Sequence, residues 1–315
     1  MKANFVGLML CIVMALSGCG TSDTNNSRGA VAEVTTNADA NAFPVTVMGA
    51  DGEVTIKKEP KRVVSVFYED NVIALGGALV GSGTVANDDD GYFDYLADKM
   101  QGVQQIGTYP YNIEKIIALQ PDLVIMAGKV FDEEQYKKLS TISPVIQIDF
   151  QTMTWEEVHL LIGKALGKEA AARAYIEEYK TKEAALKAEL QKTMAGKEVA
   201  YITPDGKEKF SLWGRTDKGD VGPILYDRFG LTAAPGVPDT YESISLEGLV
   251  KIDPEVLLIS KSYFPEDFKN MATWKNLRAV KNNQVYELDK DFRIKAYYPL
   301  GMMDNLNQVE QLLAP

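Results

Sequence analysis

The period of the hydrophobic positions changes several times along this chain, and each change marks an element. Val45-Thr46-Val47 and Val54-Thr55-Ile56 alternate on either side of Asp51-Gly52. Period-two alternation around Asp-Gly predicts a β-hairpin. Arg62-Val63-Val64-Ser65-Val66, Leu123-Val124-Ile125-Met126 and Val145-Ile146-Gln147-Ile148 are nearly continuous apolar runs. Such runs predict strands buried on both faces. Between them the spacing turns helical, over 70–79 and again over 113–119, where Pro121 stops it. Strands alternating with helices predict βα units and a largely parallel sheet.

The middle of the chain breaks this rhythm. From Trp155 to Met194 there is no proline, and Gly163 and Gly167 are the only glycines. Residues 169–194 are dense in Ala, Glu, Lys and Leu, all good helix formers. Tyr175, Tyr179, Leu186 and Leu190 mark an apolar stripe at helical spacing. At 1.5 Å per residue this predicts a helix of roughly 39 Å, long enough to bridge two domains. A long surface helix on one domain is the alternative. After Gly196 the βα rhythm resumes, with strands over 198–202, 256–259 and 284–288 and helices over 222–229, 246–251 and 301–313. A weak repeat links the two halves: 113–125 parallels 246–258, each reading as helix, Pro-acid turn and apolar strand with Glu at its second position. The predicted fold is α/β, two lobes with mainly parallel central sheets bridged by one long helix. The expected boundaries are 1–18 export signal, 19–43 tether, 44–167 first lobe, 168–195 linking helix and 196–315 second lobe. A cleft between two such lobes is a favoured place for a ligand.

The first residues add a destination. Lys2 precedes an apolar stretch from Phe5 to Leu16, followed by Leu16-Ser17-Gly18-Cys19. The stretch is too short to span a membrane and reads as an export signal. Leu-Ser-Gly-Cys resembles the bacterial lipobox, which implies cleavage before Cys19 and a lipid on its sulfur. Residues 20–42 are rich in Thr, Ser, Asn, Asp and Ala, as expected of a flexible tether. Cys11 lies within the signal, so the mature chain has no cysteine for a disulfide or a nucleophile. Formal net charge is −11, and loss of Lys2 takes it to about −12. That balance excludes nucleic acid as an expected partner.

The order and spacing of several stretches now resemble a family. Lys61-Arg62-Val63-Val64-Ser65, Asn112-Ile113-Glu114 through Pro121-Asp122-Leu123-Val124, and Leu246-Glu247 through Asp253-Pro254 are similar to the siderophore- and cobalamin-binding proteins of ABC importers, the class with a single helical backbone. Trp274 to Leu277, Ala279-Val280-Lys281 and Val285-Tyr286 also look like its closing segment. The resemblance implies a class III substrate-binding protein whose two lobes move little on binding. It also implies docking to the permease through one carboxylate per lobe, here Glu114 and Glu247. The plainer reading of both is a solvated carboxylate favoured at a helix start.

Candidate ligand contacts are those expected near strand carboxyl ends. Trp213-Gly214-Arg215 resembles the Trp-x-Arg element of hydroxamate-siderophore binders such as the ferrichrome-binding proteins. In that family the arginine bonds the hydroxamate oxygens and the tryptophan packs on the ligand. A guanidinium fork suits such oxygens, and an indole supplies rigid contact area. The alternative is an aromatic lid with Arg215 paired to Asp217 or Asp220. The first lobe offers Tyr68, Asp70 and Asn71, then Asn87, Tyr92 and Tyr95, then Tyr109 and Lys129. The second adds Tyr263, Phe264, Phe292, Arg293, Tyr297 and Tyr298. With few cations to place, a hydroxamate or mixed citrate–hydroxamate complex is expected over a tris-catecholate. Cobalamin, haem and a catecholate siderophore remain alternatives. Iron would enter only inside the siderophore, with no cofactor of the protein's own. His159 is the only histidine, so a dedicated transition-metal cage is not expected. Asp88-Asp89-Asp90-Gly91 reads as a solvated turn, not a Ca²⁺ loop. Neither a Gly-x-Ser-x-Gly elbow nor a phosphate loop occurs, so catalysis is not expected. A monomer serving an ABC importer permease is the expected state.

Overall fold

The computed structural model describes residues 43–83, 93–149, 151–205, 209–216, 221–261 and 266–315. The residues expected as export signal and as tether before Phe43, Cys19 among them, lie outside these ranges, as do Asn87, the turn expected over 88–91, Tyr92, Asp217, Asp220, Tyr263 and Phe264.

The first lobe opens with the hairpin of β1 (Val45–Gly49) and β2 (Gly52–Ile56), antiparallel with Val45 opposite Ile56. Gly52 closes the turn at φ +123°, a conformation open to glycine. There follow β3 (Val63–Val66), α1 (Glu69–Ala74), β4 (Leu79–Ser82), a 3₁₀ turn (Asp94–Met100), β5 (Gln104–Gln105), α2 (Ile113–Ala118), β6 (Leu123–Ala127), α3 (Glu133–Ser140) and β7 (Val145–Ile148). The strands form one parallel sheet in the order β5-β4-β3-β6-β7. Every residue of β3, β6 and β7 is buried, so helices cover both faces, as a parallel sheet requires. The helix read over 70–79 is shorter than expected. Gly76 turns left-handed at φ +65°, which ends α1 and frees Leu79 to begin β4.

Two helices follow, α4 (Trp155–Ala165) and α5 (Glu169–Thr193). At 25 residues α5 is about 38 Å long. Its buried positions change allegiance along its length. Ala172 joins the first-lobe core, whereas Tyr179, Leu186 and Leu190 join the second-lobe core. One rigid element is thereby packed into both lobes.

The second lobe runs β8 (Glu198–Asp205), β9 (Lys209–Leu212), a π-helical turn (Pro223–Arg228), β10 (Thr232–Ala233), β11 (Glu242–Ser245), α6 (Leu246–Ile252), β12 (Val256–Ser260), α7 (Glu266–Asn270), α8 (Ala272–Asn276), α9 (Arg278–Lys281), β13 (Val285–Leu288), α10 (Phe292–Lys295) and α11 (Pro299–Leu313). Its sheet has the order β11-β9-β8-β12-β13, with β10 also on β8. β10, β12 and β13 add in parallel, whereas β9 and β11 form an antiparallel edge.

The sequence repeat corresponds to equivalent structure. α2–β6 and α6–β12 each place their strand beside the first sheet strand of the lobe. In both lobes an arginine closes the Pro-acid turn. Asp122 accepts from the backbone N–H groups of Lys61 and Arg62, and the Arg62 guanidinium donates to the Leu119 carbonyl at 2.7 Å. Asp253 accepts from the Arg278 N–H, and the Arg278 guanidinium donates to the Asp253 carbonyl at 2.8 Å. A cation on the last carbonyls of a short helix satisfies acceptors that the helix leaves unpaired.

Candidate functional site

Residues of the second lobe converge on the Trp213 indole. Its N–H donates to the Thr203 hydroxyl near the end of β8 at 3.0 Å, and its backbone N–H donates to the Tyr201 carbonyl. Tyr241, just before β11, packs at 5.4 Å between ring centroids. Arg293 on α10 lies over the indole face at 4.8 Å, within the range of a cation–π contact. Arg215 is half-exposed and ion-paired with Asp239. Asp217 and Asp220, the partners expected from sequence, lie outside the described residues. Trp213 and Arg293, both expected from sequence, are brought into contact, and Arg215, two residues along from Trp213, turns to Asp239. Tyr241, Thr203 and Asp239 were missed, because they arrive from β8 and from the loop before β11 with no motif of their own.

A second aromatic group lies in the first lobe, after β3 and β6 and before α2. Tyr111 has Phe67 at 6.3 Å, Tyr109 at 6.2 Å and Phe131 at 6.4 Å between centroids. Phe67 holds φ +78°, a costly conformation for a residue with a side chain. Tyr109 is 72% exposed. Phe67, Tyr111 and Phe131 were not singled out from sequence, since each reads as ordinary core. Lys129 does not join this group, because its ammonium faces Asp51 on the hairpin at 3.8 Å.

Two expected contacts are corrected. Phe292 is fully buried in the second-lobe core, with its ring 6.1 Å from Tyr201, so it has no surface for a ligand. Tyr68 is 6% exposed within the first-lobe core. Their neighbours Phe67 and Arg293 are only partly buried. Tyr297 is half-exposed beyond α10.

The lobes are joined by a buried polar floor. Asp70 on α1 accepts from the N–H groups of Leu300 at 2.8 Å and Gly301 at 3.2 Å, the first turn of α11. It also accepts from the Tyr95 hydroxyl at 2.8 Å. A first-lobe carboxylate thus caps a second-lobe helix. Tyr175 of α5 adds a hydrogen bond to the Pro299 carbonyl at 2.6 Å. Burial pushes the Asp70 carboxyl up to about 6 against the lowering effect of these donors. Burial pushes neighbouring Glu69 up to about 8. Lys295, also buried, is held by Asp289 and Asp304 and lies over the Tyr95 ring. His159 is buried on α4, its Nδ1 3.2 Å from the Asn71 amide, and burial lowers it to about 4. It is a neutral packing residue.

Glu114 and Glu247 sit in the first turns of α2 and α6, after the N-caps Asn112 and Ser245. Glu114 pairs with Lys138 at 2.6 Å, both exposed. The Glu247 carboxyl is held below its ordinary range by its own backbone N–H and the Ser245 hydroxyl. A separate groove of about 530 Å³, lined by Val47, Met48, Met153, Leu160 and Leu161, lies on the first lobe between the hairpin and α4. It contains none of the aromatic or cationic candidates. Among the described residues there is no cluster of three or more His, Cys, Asp or Glu side chains fit to hold a metal. No described helix is long and apolar enough to cross a membrane.

Two α/β lobes on one helical spine, with an aromatic and cationic patch near the strand ends, define a substrate-binding protein of the helical-backbone class. Residues 63–292 match the profile of the family described as Periplasmic binding protein, and the chain belongs to that family. The iron(3+)-hydroxamate-binding protein YxeB of Bacillus subtilis is 28% identical over 331 residues, covering 98% of this chain and 95% of its own. The Fe(3+)-citrate-binding protein YfmC of the same organism is 32% identical over 294 residues, covering 90% and 87%. A crystal structure of a FhuD-fold-family periplasmic binding protein component of a Fep/Fec-like ferrichrome ABC transporter, from Bacillus subtilis, aligns with a TM-score of 0.66 at 26% identity, covering 81% of this chain and 98% of its own. Staphylococcus aureus SirA complexed with staphyloferrin B shares the fold, with a TM-score of 0.65 at 24% identity over 85% of this chain and 98% of its own.

Proposed function

We propose that this protein captures a ferric siderophore outside the cytoplasm and delivers it to an ABC importer, without chemical change to the ligand. The observation that carries the reading is the Trp213 indole with Arg293 over its face and Arg215 two residues along. Guanidinium groups donate to the oxygens that surround a caged ferric ion, and the indole covers the apolar arms of the chelator. The names of the relatives support an iron complex with hydroxamate or citrate donors. Relatives also named as substrate-binding lipoproteins support an anchor through Cys19. In this reading Glu114 and Glu247 meet the permease, one from each lobe, and set docking register more than affinity.

Isothermal titration with a panel of ligands tests the proposal. Saturable binding of a ferric hydroxamate or ferric citrate is expected, with no heat from free Zn²⁺ or cyanocobalamin. Arg215→Ala is expected to weaken binding at least tenfold. Unchanged affinity in that variant would remove Arg215 from the site, and binding only of cyanocobalamin would replace the ligand class.

A further inference from the structure

The loop that carries Trp213 and Arg215 is strapped to the segment before β11. The Arg215 backbone N–H donates to the Pro238 carbonyl at 3.0 Å, and the Thr216 N–H donates to the Asp239 carbonyl at 2.8 Å. The Thr216 hydroxyl donates to the same Asp239 oxygen at 3.0 Å. Between them, a Cβ on Gly214 would stand 2.5 Å from the Asp239 carbonyl and from Thr240 backbone atoms. The two backbones therefore approach as closely as glycine permits. This contact sets the Asp239 carboxylate on the Arg215 guanidinium. An exposed ion pair contributes little to stability, so folding alone gives this carboxylate small purpose. Nearby, the Asp205 carboxylate accepts from the hydroxyls of Ser243 at 2.7 Å and Tyr241 at 3.4 Å.

We infer that Asp239 is a built-in counter-ion that sets the charge preference of the Trp213 site, favouring ferric complexes of low or positive net charge over strongly anionic ones. The inference rests on the binding function proposed above and names the ligand class within it. An anionic complex must compete with Asp239 for Arg215 and feels its charge across the site. A neutral hydroxamate complex can use the guanidinium N–H groups that Asp239 leaves free, for Arg has five. With an effective dielectric near that of water and a separation on the order of 6 Å, removing one negative charge favours a trianion by roughly twentyfold at low salt, and less as salt screens it.

The test compares wild type with Asp239→Asn by titration at low and physiological ionic strength. The probes are ferrioxamine B, a monocationic ferric hydroxamate, and ferric enterobactin, a trianionic tris-catecholate. The expected result is a gain of roughly twentyfold for the trianion at low salt, shrinking with salt, while ferrioxamine B is unchanged or weakened up to about threefold. Asp239→Glu should keep the wild-type preference, and unchanged melting of both variants shows that the fold is kept. Equal shifts for both probes, or none, would overturn the inference while leaving the siderophore reading standing. If no ferric probe binds wild type or variants, the reading and the inference fall together.

Discussion

Glu69 is an acid placed where its charge has no room. It is fully buried, one carboxylate oxygen has no hydrogen-bond partner among the described residues, and its neighbour Asp70 is also an acid. Both carboxyls are pushed up, to about 8 and about 6. The folded state therefore holds these protons more tightly than the unfolded chain. Between the ordinary carboxylate range and those values the native protein binds more protons, so stability falls as pH rises. From pH 5 to pH 8 the loss is expected to be on the order of a few kcal/mol. Glu69→Gln should flatten most of that slope, and urea denaturation across the range measures it. An unchanged slope would mean that Glu69 is ionised and solvated in the folded protein. Asp70 has a different task, because its oxygens hold the first turn of α11. Asp70→Ala leaves two backbone N–H groups and the Tyr95 hydroxyl without their acceptor. The expected cost is about 2–3 kcal/mol, read as a lower denaturation midpoint at constant m.

The elements were legible where packing and period agree. The strands β3, β6, β7 and β12 are buried on all sides, and their apolar runs say so. α5 was legible because its stripe persists over 25 residues with helix-forming residues between. The short strands β5, β9 and β11 carry no such signature, being too short for a period to show. The site divides in the same way. Trp213 and Arg215 are close in sequence and stand out as a motif, and Arg293 stands out as a charge after a strand. Phe292 stands beside Arg293, and only helix rotation decides that one faces the core and the other the indole. Asp239 is 24 residues from Arg215 and needs coordinates to be found. The strap between these segments makes a further prediction. Gly214→Ala forces a methyl into the Asp239–Thr240 backbone, an overpacking cost of about 1–3 kcal/mol. Affinity for a ferric hydroxamate should fall at least tenfold in a protein that still folds, checked by titration beside circular dichroism. Full affinity would show that the loop can shift without moving Arg215.

At the scale of the whole molecule, two lobes share one helix and one buried floor. α5 enters both cores, and Asp70 and Tyr175 both bond to the start of α11. Wide opening of the lobes would break these buried hydrogen bonds, so the architecture favours small relative motion. Glu114 and Glu247, on equivalent helices of the two lobes, are far from this floor in chemistry and are exposed. Glu114→Ala with Glu247→Ala should leave ligand affinity within twofold of wild type and abolish uptake in cells. Loss of affinity in the double variant would contradict a docking role. The central claim is that a ferric complex is gripped at Trp213, and a protein keeping only that indole tests it most directly. In the Trp155→Phe, Trp274→Phe variant, titration with a ferric hydroxamate is predicted to quench the remaining fluorescence saturably, through contact with the iron complex. A fluorescence that does not change while calorimetry still shows binding would place the ligand elsewhere and contradict the account.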